Sequence, residues 1–235
     1  VLALVIWRTV VGNRSYEQFK EYDQTADRQR EFKRWLVESL ALYGGLAVVV
    51  VLITGDTYKD VLANAGEVVG ADSAAAIFGD GSAAIIGFGC ALVGGVFLGL
   101  YLQRRNKERE PTTVGDIAHL LPRNRQELAL TGLLSINAGV VEELFFRLAL
   151  PALLLAATGN TSVAVIGSVV VFALVHWYQG PIGIVLTLIM GGFLMAIYLA
   201  SGYLVLAMIL HAFIDLRSLY IAPLIRMRRD QRAGS

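Results

Sequence analysis

The chain has 235 residues and a mass of 25.5 kDa; 56% of it is hydrophobic, 17% is charged and the mean hydropathy is +0.61. Soluble domains carry about 25% charged residues, so this composition excludes a disordered chain, an ordinary water-soluble enzyme and a nucleic-acid-binding domain. Twenty Lys+Arg against nineteen Asp+Glu leave a net charge of +1, which names no polyanionic partner.

Crossing a bilayer takes about 20 mostly apolar residues in a helix. The first apolar stretch, Val1–Val11, is interrupted by Arg8 and is too short to span alone; it reads as the end of a further helix or as an interfacial segment. Full spans are expected at Trp35–Gly55, Ala83–Gln103, Leu128–Thr158, Ser162–Tyr178, Pro181–Ser201 and Tyr203–Ala222. The expected fold is therefore all-α, a polytopic transmembrane bundle of six full spans plus a short N-terminal apolar segment. It would form a single integral-membrane domain over residues 1–235, with the chemistry on helices at about 128–217. Ser135, Asn137 and Gly139 are expected to break the third run, and Pro181 to open the fifth helix. The glycines between Gly87 and Gly99 read as close helix packing. The single cysteine, Cys90, reads as a small buried hydrophobe, and no internal disulfide can form.

Loop charge sets the orientation. Segment 12–34 holds six basic residues among five acids, loop 104–126 holds six more, and the tail from Arg217 adds Arg226, Arg228, Arg229 and Arg232. Segment 56–80 holds five acids and only Lys59. The basic loops and the tail are therefore expected on the cytoplasmic side, and the acidic segment on the other.

Ionisable groups at membrane depth are costly and mark function by default. The third run contains Glu142–Glu143–Leu144–Phe145–Phe146–Arg147, the fourth ends in Phe172–Ala173–Leu174–Val175–His176, and the sixth contains His211–Ala212–Phe213–Ile214–Asp215. Glu143 and Arg147 have the spacing of an i,i+4 ion pair with the acid N-terminal. Glu142 points about 100° away and stays available as a base. Phe172 and His176 share one helix face, as do His211 and Asp215. These groups are expected to gather in the inner half of the bilayer. No HExxH and no serine nucleophile motif accompanies them.

In type, spacing and order these residues resemble the CAAX protease and bacteriocin-processing family, also called the abortive-infection or type II CAAX prenyl endopeptidase family. Its pattern is EExxxR, FxxxH and HxxxN or HxxxD on separate transmembrane helices. Glu142–Glu143–Arg147, Phe172–His176 and His211–Asp215 match it, over about Ala138–Leu216. The resemblance implies a glutamate-type intramembrane protease that needs no cofactor. Glu142 and His176 would activate a water, His211 and Asp215 would stabilise the oxyanion, and Glu143, Arg147 and Phe172 would support the site. Asp215 differs from those members that carry Asn there; an ionised Asp cannot donate a hydrogen bond, so it is either protonated or holds the tautomer of His211.

Two other readings remain open at this point. Glu142, His176, His211 and Asp215 are also plausible zinc ligands of a membrane metalloprotease, and the same cluster could serve a non-catalytic immunity or scaffold protein. The expected partners are membrane lipid and a peptide or membrane-protein substrate, with no nucleic acid. The expected location is a bacterial cytoplasmic membrane. Oligomeric state is not legible.

Overall fold

The computed structural model describes residues 1–69, 94, 101 and 115–233, and among them it contains helices and turns but no strand. Helix α1, Leu2–Lys20, leads into α2, Thr25–Ser39, which runs through a wide π-type turn at Leu40–Gly44 into α3, Gly45–Thr54. Two short helices follow, α4 (Thr57–Ala63) and α5 (Ala65–Val69).

Helix α6, Arg125–Glu143, starts where the side chain of Asn124 accepts hydrogen bonds from the backbone N–H groups of Gln126 and Glu127. Such a cap satisfies donors that the first helical turn leaves open. A second wide turn, Leu144–Ala149, joins α6 to α7, Leu150–Thr158. Its cause lies in the sequence. Pro151 has no N–H to give the carbonyl of Arg147, so the helix opens over the preceding turn. The hydroxyl of Ser168 takes up the carbonyl of Phe146 at 2.5 Å, a repair by a neighbouring helix that a bilayer interior demands.

Helix α8, Thr161–Val175, is capped by Asn160, and α9, Gly180–Ser201, has Pro181 in its first turn as the sequence predicts. Helix α10, Leu204–Leu216, passes through a third wide turn at Arg217–Ile221 into α11, Ala222–Ala233. Pro223 follows that turn just as Pro151 follows the second, and Gly44–Gly45 mark the first. In the bundle, α6 packs between α2 and α10, while α8 packs against α7 and α9.

The segments Thr25–Thr54, Trp177–Ser201 and Leu204–Arg232 are long and apolar enough to cross a membrane. Polarity is distributed to suit lipid: Leu52, Ile53, Ile189 and Ile209 face outward, whereas Arg28, Glu127, Glu143 and Arg147 are fully buried. The protein is membrane-integral.

Several expectations shift. The predicted span Ala83–Gln103, with Cys90 and the glycine-rich stretch, lies outside the described residues apart from Gly94 and Tyr101. The predicted fourth span ends earlier than Tyr178: α8 has 15 residues, about 22 Å of helix against a hydrocarbon core of about 30 Å. The third run does not break at Ser135–Gly139. Ser135 returns its hydroxyl to the carbonyl of Thr131, and Asn137 donates to the Ser39 hydroxyl. Gly139 instead allows close approach, because a Cβ there would lie 2.6 Å from the Ala212 backbone nitrogen. The irregularity falls one turn later, where Pro151 places it. Finally, helix α1 reaches Lys20, well beyond the apolar residues 1–11.

Candidate active site

Helix α6 ends in Glu142 and Glu143, at the mouth of the wide turn. Glu143 is fully buried between two helices. Its Oε2 lies 3.0 Å from Arg147 Nε, and its Oε1 lies 2.6 Å from His211 Nδ1 on α10. The predicted Glu143–Arg147 pair is therefore present as an ion pair. Its geometry is not that of a hydrogen bond, since Arg147 Nε, Arg147 Nη1 and Glu143 Oε2 make none with any protein group. Charge attraction holds the pair, and the good hydrogen bond of Glu143 goes to His211. That contact is invisible in sequence spacing, because it spans 68 positions.

His176 is the residue on which α8 stops, followed by the short turn Trp177–Gln179. Its Nδ1 lies 2.8 Å from the carbonyl oxygen of Phe172. A carbonyl only accepts, so Nδ1 carries the hydrogen, and Nε2 of the neutral ring is an acceptor. That Nε2 lies 3.8 Å from Glu142 Oε2, too far for a hydrogen bond. Glu142 Oε2 is itself buried without a hydrogen-bond partner in the protein. Two acceptors thus face each other across a gap that a molecule with two donors can bridge.

Phe172 ties the groups together. Its ring centroid stands 4.7 Å from that of His176 and 6.0 Å from that of His211, and the Arg147 guanidinium lies 4.2 Å above it. The ring in turn rests on Gly191, where a Cβ would come within 2.7 Å of it. Asp215 lies 3.8 Å from His211 Nε2. The group at hydrogen-bonding distance that fixes the His211 ring is thus Glu143, not Asp215.

The side chains of Glu142, Phe172, His176, His211 and Asp215 line one cavity of about 400 Å³. The structure brings together all of the residues singled out from sequence, with Glu143 and Arg147 buried directly behind the wall. Among the described residues no group of three His, Cys, Asp or Glu side chains is arranged as a metal-ligand set.

The sequence motifs do not point to the part of the lining that α1 supplies. Arg8, Thr9, Gly12, Asn13 and Tyr16 of α1 line the same cavity, while Leu4, Ile6, Trp7 and Val10 of that helix face outward. Spacings of one, four, five and eight from Arg8 define a single helix face, and reading residues 1–20 for that period finds the wall. Tyr178 and Gln179, next to His176, also line it. The segment before α6 closes one side through Ile117 and Leu120. It is tied down by the Tyr16 hydroxyl donating to the Asp116 carbonyl at 2.5 Å and by Asp116 N–H donating to Gln179 O at 2.9 Å.

Residues 124–217 match the family model described as type II CAAX prenyl endopeptidase Rce1-like. No curated protein and no solved structure matches the chain. The helices from α6 to α10, which hold all of these carboxylates, histidines and the arginine behind them, are thus the part of the chain that is similar to the Rce1-like type II CAAX prenyl endopeptidase family.

Proposed function

We propose that the protein is a glutamate-type intramembrane endopeptidase, cleaving a peptide bond of a membrane-associated peptide or protein with water activated by Glu142 and His176. The observation that carries this reading is the 3.8 Å gap between Glu142 Oε2 and His176 Nε2, with the His176 tautomer set by Phe172. A water there donates one hydrogen to each acceptor and keeps a lone pair for a scissile carbonyl carbon. As the C–O bond forms, Glu142 takes the proton as general base. It returns the proton to the leaving amine as the C–N bond breaks.

The oxyanion falls to His211. With Nδ1 donating to Glu143, a charged His211 ring presents Nε2–H to the cavity, and a fixed donor aimed at developing charge lowers the barrier strongly. Arg147 offsets the charge of Glu143 from behind. Asp215 can donate to the oxyanion only when protonated. Asp215→Asn supplies the donor at every pH, and the reading expects that variant to remain active.

The same reading takes the chain as one membrane domain whose catalytic helices run over about 128–217. It has six spans, basic loops and tail cytoplasmic, in a bacterial cytoplasmic membrane. The proposed reaction uses no metal. A zinc enzyme built from Glu142, His176 and His211 is the competitor, and loading tells the two apart. The test is cleavage of lipid-reconstituted peptides and membrane proteins by the unaltered chain and by Glu142→Gln, with metal content measured on the same chelator-washed samples. Cleavage lost in Glu142→Gln, with no stoichiometric metal in the active protein, supports the glutamate mechanism. One zinc per chain that disappears in His176→Ala and His211→Ala replaces it with the zinc mechanism.

A further inference from the structure

The cavity is electrically lopsided. Glu142 and Asp215 line it, and among the described residues Arg8, on α1, is the lysine or arginine that lines it. An anionic group entering the cavity is repelled by the two carboxylates and attracted by the arginine. We propose that Arg8 is a specificity-determining residue that binds a carboxylate of the substrate and so sets which peptide bond reaches Glu142 and His176. This inference rests on the protease reading above.

The local structure suits a cation that changes partners. Arg8 is mostly buried, with 19% of its side chain exposed, and its Nη2 lies 2.5 Å from Glu38 Oε2. Glu38 is shared, because Arg34 Nε approaches its other oxygen at 3.6 Å. When Arg8 turns to a substrate carboxylate, Glu38 keeps a cation beside it, so the exchange leaves no charge stranded. The guanidinium lies over Gly12, where a Cβ would fall 2.6 Å from Arg8 Nη1. Glycine at that position leaves the side chain free to lie along the helix and into the cavity. Planar guanidinium also matches a carboxylate through two parallel hydrogen bonds, which a lysine cannot reproduce.

Size adds a positional consequence. A cavity of about 400 Å³ lies near the lower end of the range of ligand pockets and takes only a few residues of peptide. A carboxylate held at Arg8 and a scissile carbonyl at Glu142 are then close neighbours in the substrate chain. The carboxylate can come from the chain terminus or from an acidic side chain.

The experiment measures binding to full-length Glu142→Gln protein in nanodiscs, so that turnover does not enter. The probes are three forms of one dye-labelled apolar peptide: a free C-terminal acid, the C-terminal amide, and the amide with one glutamate near its end. The expected result is that a carboxylate-bearing form binds about tenfold or more tightly than the plain amide, and that adding Arg8→Gln brings it down to the amide's affinity. Arg8→Lys should recover part of the preference, and Glu38→Gln, which removes the competing carboxylate, should sharpen it. Preference for the free acid alone identifies the chain terminus as the source, and equal preference for the glutamate form identifies a side chain.

Equal binding of acid and amide, a preference untouched by Arg8→Gln, or no binding of any form overturns the proposal. So does an equal loss for all three peptides together with a lowered melting temperature, which makes Arg8 a purely structural partner of Glu38. A preference that depends on Arg8, in a chain that cleaves nothing, leaves this inference standing and fails the protease reading. Cleavage indifferent to carboxylates does the reverse.

Discussion

Among the described residues two arginine–glutamate pairs are fully buried, and they are finished to different degrees. Arg28 and Glu127, both fully buried, join α2 to the start of α6. Arg28 donates to Glu127 at 3.2 Å and to the carbonyls of His119 and Leu121 at 3.1 Å each, with its guanidinium 4.4 Å above the Phe19 ring. Glu127 accepts further hydrogen bonds from the Arg123 backbone and the Asn124 side chain. Arg147 and Glu143 are just as buried and 3.0 Å apart, yet two arginine nitrogens and one carboxylate oxygen there make no hydrogen bond with the protein. Desolvation costs such a pair more than attraction returns unless the remaining hydrogen bonds are made. The first pair makes them and works as a latch. The second leaves them open beside a cavity, where strain and unmet polarity concentrate when a site must act on something else.

The contrast breaks most visibly at Glu142, whose Oε2 is likewise unmet. Glu142→Gln should lower kcat by about 10²–10⁴ with no change in melting temperature, because the swap keeps shape and removes basicity. His176→Ala should cost a similar factor, and the two losses together should scarcely exceed either one, since the pair acts as a unit. Additive losses in the double variant would show that they do not share one water.

Next in size is the latch. Arg28→Met should destabilise the fold by about 3–5 kcal/mol by stranding Glu127, read as a lower melting temperature. For the surviving folded protein, the rate per active molecule should stay close to that of the unaltered chain. A rate loss without a stability loss would put the latch in the chemistry.

His211→Ala should cost about 10²–10³ in rate, the usual effect of removing an oxyanion donor, and about 1–3 kcal/mol in stability, because buried Glu143 loses its short hydrogen bond. Arg147→Met should show the mixed behaviour of an unfinished pair: about 1–3 kcal/mol of stability and a rate loss from a displaced Glu143. If it destabilises as much as Arg28→Met, the open hydrogen bonds counted above are made in the membrane and the distinction fails.

The smallest effect belongs to the surface. Lys20 meets Asp116 at 2.5 Å near the cavity's closing segment, and that hydrogen bond raises the lysine's pKa above its ordinary value. A raised lysine pKa gives stability that is fully present below the unfolded value and is lost as pH rises through the folded one. Lys20→Met should therefore lower the stability slightly at neutral pH, by about 1 kcal/mol or less, read as a slightly lower melting temperature, and not at all on the alkaline side of that titration.

Much of this arrangement is legible in the chain itself. Apolar length gives the membrane, and the ionisable residues within 142–147, 172–176 and 211–215 give the candidate site, because a bilayer tolerates such groups only where they are used or paired. Pro151 and Pro223 follow the second and third helical openings, whereas the reading of the sequence expected the break at Ser135, Asn137 and Gly139. What the sequence could not supply is every partner that depends on helix packing. Glu143 reads as the companion of Arg147, four residues away, but its short hydrogen bond goes to His211 across 68 positions.

Residues 1–11 read as an apolar fragment, but the fold turns Arg8, Asn13 and Tyr16 of α1 into the cavity that the carboxylates also line, and Trp7 outward. Local spacing fixes which residues share a helix face. Which faces meet is decided by the close approaches that Gly139, Gly191 and the wide turns permit. Those are contacts between distant segments, and they exist only once the bundle has formed.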